Sequence, residues 1–255
     1  MELKNNTILI TGGSSGLGLE FAKQLLELDN IVIVTGRDAK KLDQVKVTYP
    51  NIHVFQSDVS DPKAVEELYS TVINQFPRLN ILVNNAGEMR RINLNDEASN
   101  VNNITQEIEI NLSGPIRMIQ QFLPHLKKQK TAAIVNVTSG LALIPFPISP
   151  IYGATKSGLR SYTKSLRVQL KKTSIKVFEL LPPGARTALN DKFSNDVNPK
   201  SLMDVEKLIA VAIRGLRKDK YEIYPGAAAL IRIMSRLAPN LIFRQMAKIT
   251  DKAFG

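Results

Sequence analysis

Thr7-Ile8-Leu9-Ile10-Thr11-Gly12-Gly13-Ser14-Ser15-Gly16-Leu17-Gly18 is the stretch on which the fold turns. Its first five residues are apolar or β-branched with no polar alternation, the pattern of a strand buried on both faces. Glycines end the run. Gly12, Gly16 and Gly18 lack Cβ atoms, so they allow tight backbone angles and close approach of a ligand to the main chain. Over residues 17–28, Leu17, Phe21, Leu25 and Leu28 recur at helical spacing. A strand, a glycine turn and a helix in that order make a cradle for phosphate at the helix N-terminus.

The same alternation continues outward. Short apolar runs at 31–35, 52–55, 81–83, 132–137, 175–180 and 221–224 read as further strands, and 62–75 reads as a helix. Strands separated by helical patterns predict an α/β chain: a single-domain, Rossmann-type, doubly wound parallel sheet with helices on both faces. No linker divides residues 1–226. Residues 227–255 form a basic amphipathic extension of the same domain, in which Leu230, Ile231, Met234, Leu237, Leu241, Ile242 and Met246 alternate with Arg232, Arg236, Arg244 and Lys248. Pro239 should break it into two helices.

Composition narrows the chemistry. The 255 residues suit one α/β domain, and 44% hydrophobic with 22% charged residues is ordinary for a soluble globule. The absence of cysteine rules out disulfides and thiolate metal sites. His53 and His125, the only histidines, lack partners at ligand spacing and read as structural, so no metal is expected. The N-terminus has no basic stretch followed by an apolar run, and no segment approaches the ~18 apolar residues of a spanning helix, so the expected location is cytoplasmic. The net charge of +11 is concentrated towards the C-terminal part and points either to an anionic partner or to solubility alone.

Three further motifs stand out, the first two at the expected carboxyl ends of strands. They are Asn84-Asn85-Ala86-Gly87, Ser139 after the fifth strand, and Tyr152-Gly-Ala-Thr-Lys156. A tyrosine four residues before a lysine places both on one helix face. With the glycine turn spaced Gly-x-x-x-Gly-x-Gly, the chain resembles the short-chain dehydrogenases/reductases over about residues 5–225. Ile134-Val-Asn-Val-Thr-Ser139-Gly-Leu-Ala and Glu179-Leu-Leu-Pro182-Pro183 are similar to the DltE-like oxidoreductases of that family.

The resemblance implies a nicotinamide cofactor. Its pyrophosphate would lie on Gly12, Ser14, Ser15, Gly16, Leu17 and Gly18, its adenine by Asp58 and Val59, and its ribose along Asn85, Ala86 and Gly87. Pro182 and Thr187 would border the nicotinamide, with Thr187 bonding the carboxamide. Pro182-Pro183-Gly184 replaces the family's Pro-Gly, which leaves the loop register open. At the end of the second strand, Val34-Thr35-Gly36-Arg37 offers a guanidinium where an NAD enzyme would carry an acid, so NADP is expected over NAD. Asp38 reads as the N-cap of a helix starting at Ala39. Asp58 could equally cap a turn.

Carbonyl reduction needs a hydride at carbon and a proton at oxygen. The resemblance assigns Tyr152 as general acid/base, Lys156 to the nicotinamide ribose and the tuning of Tyr152, Ser139 to the substrate oxygen, and Asn111 to a helix kink that holds a water. A phenol of pKa ~10 working near neutrality must fall by about three, or ~4 kcal/mol, which an ammonium ~4 Å away in a partly buried site has the size to supply. Each residue alone also has a bland reading, as a loop cap, a half-buried aromatic or a solvated polar group. The expected reaction interconverts a small-molecule carbonyl and a secondary alcohol. Leu141, Leu143, Glu88, Met89 and a mobile lid over 188–199 are the pocket candidates. The alternative is a catalytically silent NAD(P)-binding sensor, or a module associated with membrane or nucleic acid, although no nucleic-acid motif is present. A homodimer or homotetramer is expected. The tail either packs on the core, roofs the pocket, seals a dimer, or contacts an anionic membrane.

Overall fold

The computed structural model describes residues 1–95, 101–191, 193 and 199–254. The elements run β1 (Thr7–Thr11), α1 (Gly16–Leu26), β2 (Ile31–Gly36), α2 (Ala39–Thr48), β3 (Ile52–Gln56), α3 (Pro62–Gln75) and β4 (Leu79–Asn84). Then come the short helices α4 (Val101–Ile104) and α5 (Gln106–Ile108), a π-helical turn (Glu109–Ser113), α6 (Gly114–Leu126), β5 (Ala132–Val137) and α7 (Pro150–Gln169). The chain continues through β6 (Ile175–Leu180), α8 (Ala188–Asp191), α9 (Val205–Arg217), β7 (Glu222–Ile223), α10 (Ala227–Leu237) and α11 (Pro239–Phe254). All seven strands are parallel, in the order β3-β2-β1-β4-β5-β6-β7.

The strands are mostly apolar because each side of the sheet has its own core. Ile8, Ile10, Val34 and Phe178 pack with Phe21 and Leu25 of α1 and Leu208 and Ala212 of α9. Their neighbours Leu9, Ile33, Leu82 and Ile134 pack on the opposite side with Val72 of α3, Phe122 of α6 and Leu166 of α7. A one-residue slip would exchange these two sets, so pairing such as Leu9 with Ile33 and Leu82 is strongly fixed.

The order reverses between β1 and β4, the crevice where ligands bind in open parallel sheets. The β1–α1 turn fits tightly there. Gly12 has φ of 64°, and a Cβ on Gly18 would lie 2.3 Å from the Gly12 carbonyl oxygen. Asp38 caps α2 by accepting from the Lys41 N–H, as expected. The last strand is shorter than residues 221–224, and the tail breaks into two helices around Pro239.

Candidate active site

A cleft of about 330 Å³ runs along the carboxyl ends of the strands. Gly12, Ser14, Ser15, Gly16 and Leu17 line one wall, with Arg37, Asp58 and Val59 at one end. Asn85, Ala86 and Gly87 lie across from the turn, and Ser139, Tyr152, Lys156, Pro182 and Thr187 close the other end. Gly18 and Asn111 are not on the lining. Gly18 serves the packing of the turn, and Asn111 is fully buried behind the wall.

Asn85 is a scaffold residue as much as a cleft residue. Its side-chain amide donates to the carbonyls of Thr11 and Gly12, both at 3.0 Å, while Thr11 Oγ1 accepts from the N–H groups of Asn85 and Ala86. The glycine turn is thereby tied to the end of β4. Asp58 accepts from the N–H and hydroxyl of Ser60, so it caps its turn while facing the cleft. The loop after β6 is held by backbone contacts. Pro182 accepts from Gly140 N–H at 2.8 Å, Ala185 bridges to Met203, and Thr187 sits over Gly16.

At the Arg37 end, Ser14 Oγ fills the space over Gly36. Lys41, in the first turn of α2, also lines the cleft, giving a second cation that motif reading missed. Its signal was available in the sequence, because the Asp38 cap fixes where α2 begins and hence which turn carries Lys41. Glu88 differs from expectation. Its carboxylate turns to Arg37, 3.5 Å from Nη2, and is not on the cleft lining.

At the closed end, α7 presents Tyr152 and Lys156 on one face, both buried. Lys156 Nζ donates to the Val137 carbonyl at 3.1 Å and lies 5.7 Å from the Tyr152 ring centre. The expected lowering of the phenol does not arise from the chain's own groups. Burial pushes Tyr152 up to about 12, against a hydrogen bond with Ser139 that pulls it down. Burial also pulls Lys156 down to about 8. Both effects have one cause, the desolvation of a charged form.

Asn111 lies in the π-helical turn. Its Oδ1 accepts from Glu88 N–H at 2.8 Å, and its Nδ2 donates to the Glu88 carbonyl at 2.8 Å and to Thr155 Oγ1 at 3.2 Å. The side chain therefore clasps the segment after β4.

The surroundings of Tyr152 are apolar. Met89, Phe146, Ile148 and Phe193 pack with it, and Leu141, Leu189, Met246, Ile249 and Phe254 add to the cluster. The tail thus packs on the body at the Tyr152 end of the cleft. Leu143 is not part of this wall; it lines a separate shallow groove with Ile144, Pro145 and Phe146. Of the expected lid, residues 192 and 194–198 lie outside the described residues.

A model of the family described as short chain dehydrogenase matches residues 6–198. The chain is 42% identical over 248 residues to a Bacillus subtilis protein named uncharacterized oxidoreductase DltE, covering 96% of this chain and 98% of that one. Among solved structures, a short chain dehydrogenase from Burkholderia cenocepacia in complex with NADP superposes with a TM-score of 0.83 at 23% identity, covering 96% of this chain and 99% of that one. One from Burkholderia phymatum in complex with NAD gives 0.81 at 22% identity, with 96% of each chain covered.

Proposed function

This chain belongs to the short chain dehydrogenase family, and on that premise we propose that it is an NADP(H)-dependent oxidoreductase interconverting a carbonyl and a secondary alcohol. The observation that carries the reading is the polarity of one cleft. Arg37 and Lys41 line one end, and Ser139, Tyr152 and Lys156 meet at the other. The two cations suit a 2′-phosphate, and the glycine cradle suits a pyrophosphate. The bound nicotinamide supplies the hydride.

The protein's own groups handle the proton and the charge. With its pKa pushed up to about 12, Tyr152 holds its proton at neutral pH, the form required of an acid in reduction. It donates that proton to the carbonyl oxygen. Ser139 donates a hydrogen bond to the same oxygen as negative charge develops on it. Lys156 supplies the positive charge that stabilises the phenolate left behind.

The substrate is an uncharged carbonyl compound with apolar substituents. Met89, Leu141 and Leu189 border the cleft beside Tyr152, and among the described lining residues Lys156 is the only cation at that end. The tail, residues 227–255, works as part of the same domain because α11 backs this wall.

The test is a fluorescence titration with NADPH and NADH, followed by turnover of an aliphatic and aromatic ketone and aldehyde panel. Tighter NADPH binding and turnover of apolar carbonyls is the expected result. Preference for NADH would overturn the cofactor assignment. Absence of turnover across the panel with a bound cofactor would favour a sensor.

A further inference from the structure

The outer face of the tail is unlike the rest of the surface. Ten large hydrophobic side chains are exposed among the described residues, and five of them lie between 230 and 243: Leu230, Ile233, Leu237, Leu241 and Phe243. Leu237 is 80% exposed and Leu230 61%. Spacing explains the first three. Positions 230, 233 and 237 fall on one face of α10, while its other face is committed to the body. Ala228 is buried, Ile231 and Ala228 pack over Gly140, and Arg232 stacks on the Tyr224 ring at 4.5 Å. On α11, Ile242 is buried and Met246 and Ile249 pack towards Tyr152, which leaves Leu241 and Phe243 outside.

Cations border this apolar face. Arg236, Arg244, Lys248 and Lys252 are exposed, and Asp251 is the only acid from 227 to 254. We propose that α10 and α11 dock this protein on an anionic lipid surface, with Leu230, Ile233, Leu237, Leu241 and Phe243 entering the headgroup boundary and the flanking bases meeting lipid phosphates. Exposed leucines and phenylalanine beside arginines suit an interface that is apolar below and anionic above. A second copy is the poorer occupant, because a twofold contact sets each subunit's bases against the same bases of its mate. Nucleic acid offers phosphates but no apolar layer for this face to enter. Among the described residues no helix is long and apolar enough to cross a membrane, so the contact is peripheral.

The inference does not depend on the reaction assigned above. The test is co-sedimentation of the full chain with vesicles of two parts phosphatidylcholine to one part phosphatidylglycerol, and with phosphatidylcholine alone. Binding at least tenfold stronger to the anionic vesicles, weakened by high salt, is expected. The Ile233→Glu/Leu237→Glu variant should lose that binding at least tenfold while its unfolding transition and NADPH affinity stay those of the parent. The milder Arg236→Gln/Arg244→Gln variant should lose severalfold and serves if the first does not fold. Absent or salt-independent binding, or variants that bind like the parent, would overturn the proposal. A dimer in sedimentation velocity that Leu237→Glu dissociates would overturn it too, by assigning the face to a second copy.

Discussion

Arg160 lies one helical turn beyond Lys156 on α7 and donates from Nη1 to Glu179 Oε2 at 2.7 Å. Glu179 is fully buried at the end of β6, and its other oxygen accepts from Thr138 Oγ1 at 2.8 Å. Tyr224, just beyond β7, accepts from Arg160 Nη2 at 3.1 Å. The ion pair thus joins α7 to β6, and the Thr138 hydrogen bond extends the link to the segment after β5, next to Ser139. Burial holds the Glu179 carboxyl above its ordinary range despite Arg160, so ionising it costs stability, and its contribution declines as pH rises through its folded value.

Removing one partner should cost far more than removing both. Arg160→Met strands a buried carboxylate, and about 3–5 kcal/mol of unfolding free energy should be lost. Arg160→Met combined with Glu179→Leu removes the charge as well and should restore most of that loss. Urea denaturation of the two variants measures the difference. A double variant as unstable as the single one would mean that packing, not charge, sets the cost.

Lys156 gives a stability signature with a definite sign. Its folded value of about 8 lies below its ordinary 10.5, so between those values the unfolded chain binds more protons. Stability of the cofactor-free protein should therefore rise with pH across that window, by about 3 kcal/mol, and the cost should be fully present below it. Tyr152 opposes this only later, because the folded chain keeps the phenolic proton between 10.0 and about 12. Lys156→Met should abolish the rise. Chemical denaturation of both proteins at successive pH values gives the difference curve, and a flat one would contradict the burial argument.

Arg37 and Lys41 predict how cofactor choice should respond to substitution. Arg37→Ala should weaken NADPH by about 10–100-fold, the scale of a charge-assisted hydrogen bond, and leave NADH nearly unchanged. Lys41→Ala should act the same way but less strongly, as a point charge without the planar fork. Glu88→Gln frees Arg37 from its 3.5 Å ion pair and should tighten NADPH severalfold. Fluorescence titration of the three variants checks all of this, and equal losses for the two cofactors would remove the 2′-phosphate from the account.

What the sequence revealed depended on whether local pattern or tertiary packing set the outcome. The runs at Ala132–Val137 and Ile175–Leu180 were legible in full because a strand buried on both faces is mostly apolar, and Asn136, Lys176 and Glu179 interrupt these runs without breaking them. Tyr152 and Lys156 were legible as neighbours because helical spacing fixes that relation. Their acidities were not, since spacing says nothing of how completely Met89, Phe146 and Phe193 exclude water from Tyr152. Glu88 was misread for a similar reason. A charged side chain after a glycine can point either way, and only the position of Arg37 across the cleft decides it. The buried Arg160–Glu179 pair left no motif at all, because its partners lie 19 residues apart on a helix and a strand.

Tyr152 and Ser139 should separate in their kinetics although both line one end of the cleft. Tyr152→Phe keeps the ring that packs with Met89, Phe146 and Phe193, so cofactor affinity and fold should survive. It removes the only group assigned to give the substrate oxygen a proton, and kcat should fall by about 10²–10⁴-fold. Ser139→Ala removes one donor to the developing oxyanion and should cost about 10²–10³-fold. In the proposed mechanism both groups act on one oxygen in one step, so the double variant should lose much less than the product of the two single losses. Steady-state kinetics with one apolar ketone, alongside NADPH titrations, distinguishes the cases. Strictly multiplicative losses would place the two hydroxyls on different steps, and an unchanged kcat in Tyr152→Phe would move the proton donor elsewhere.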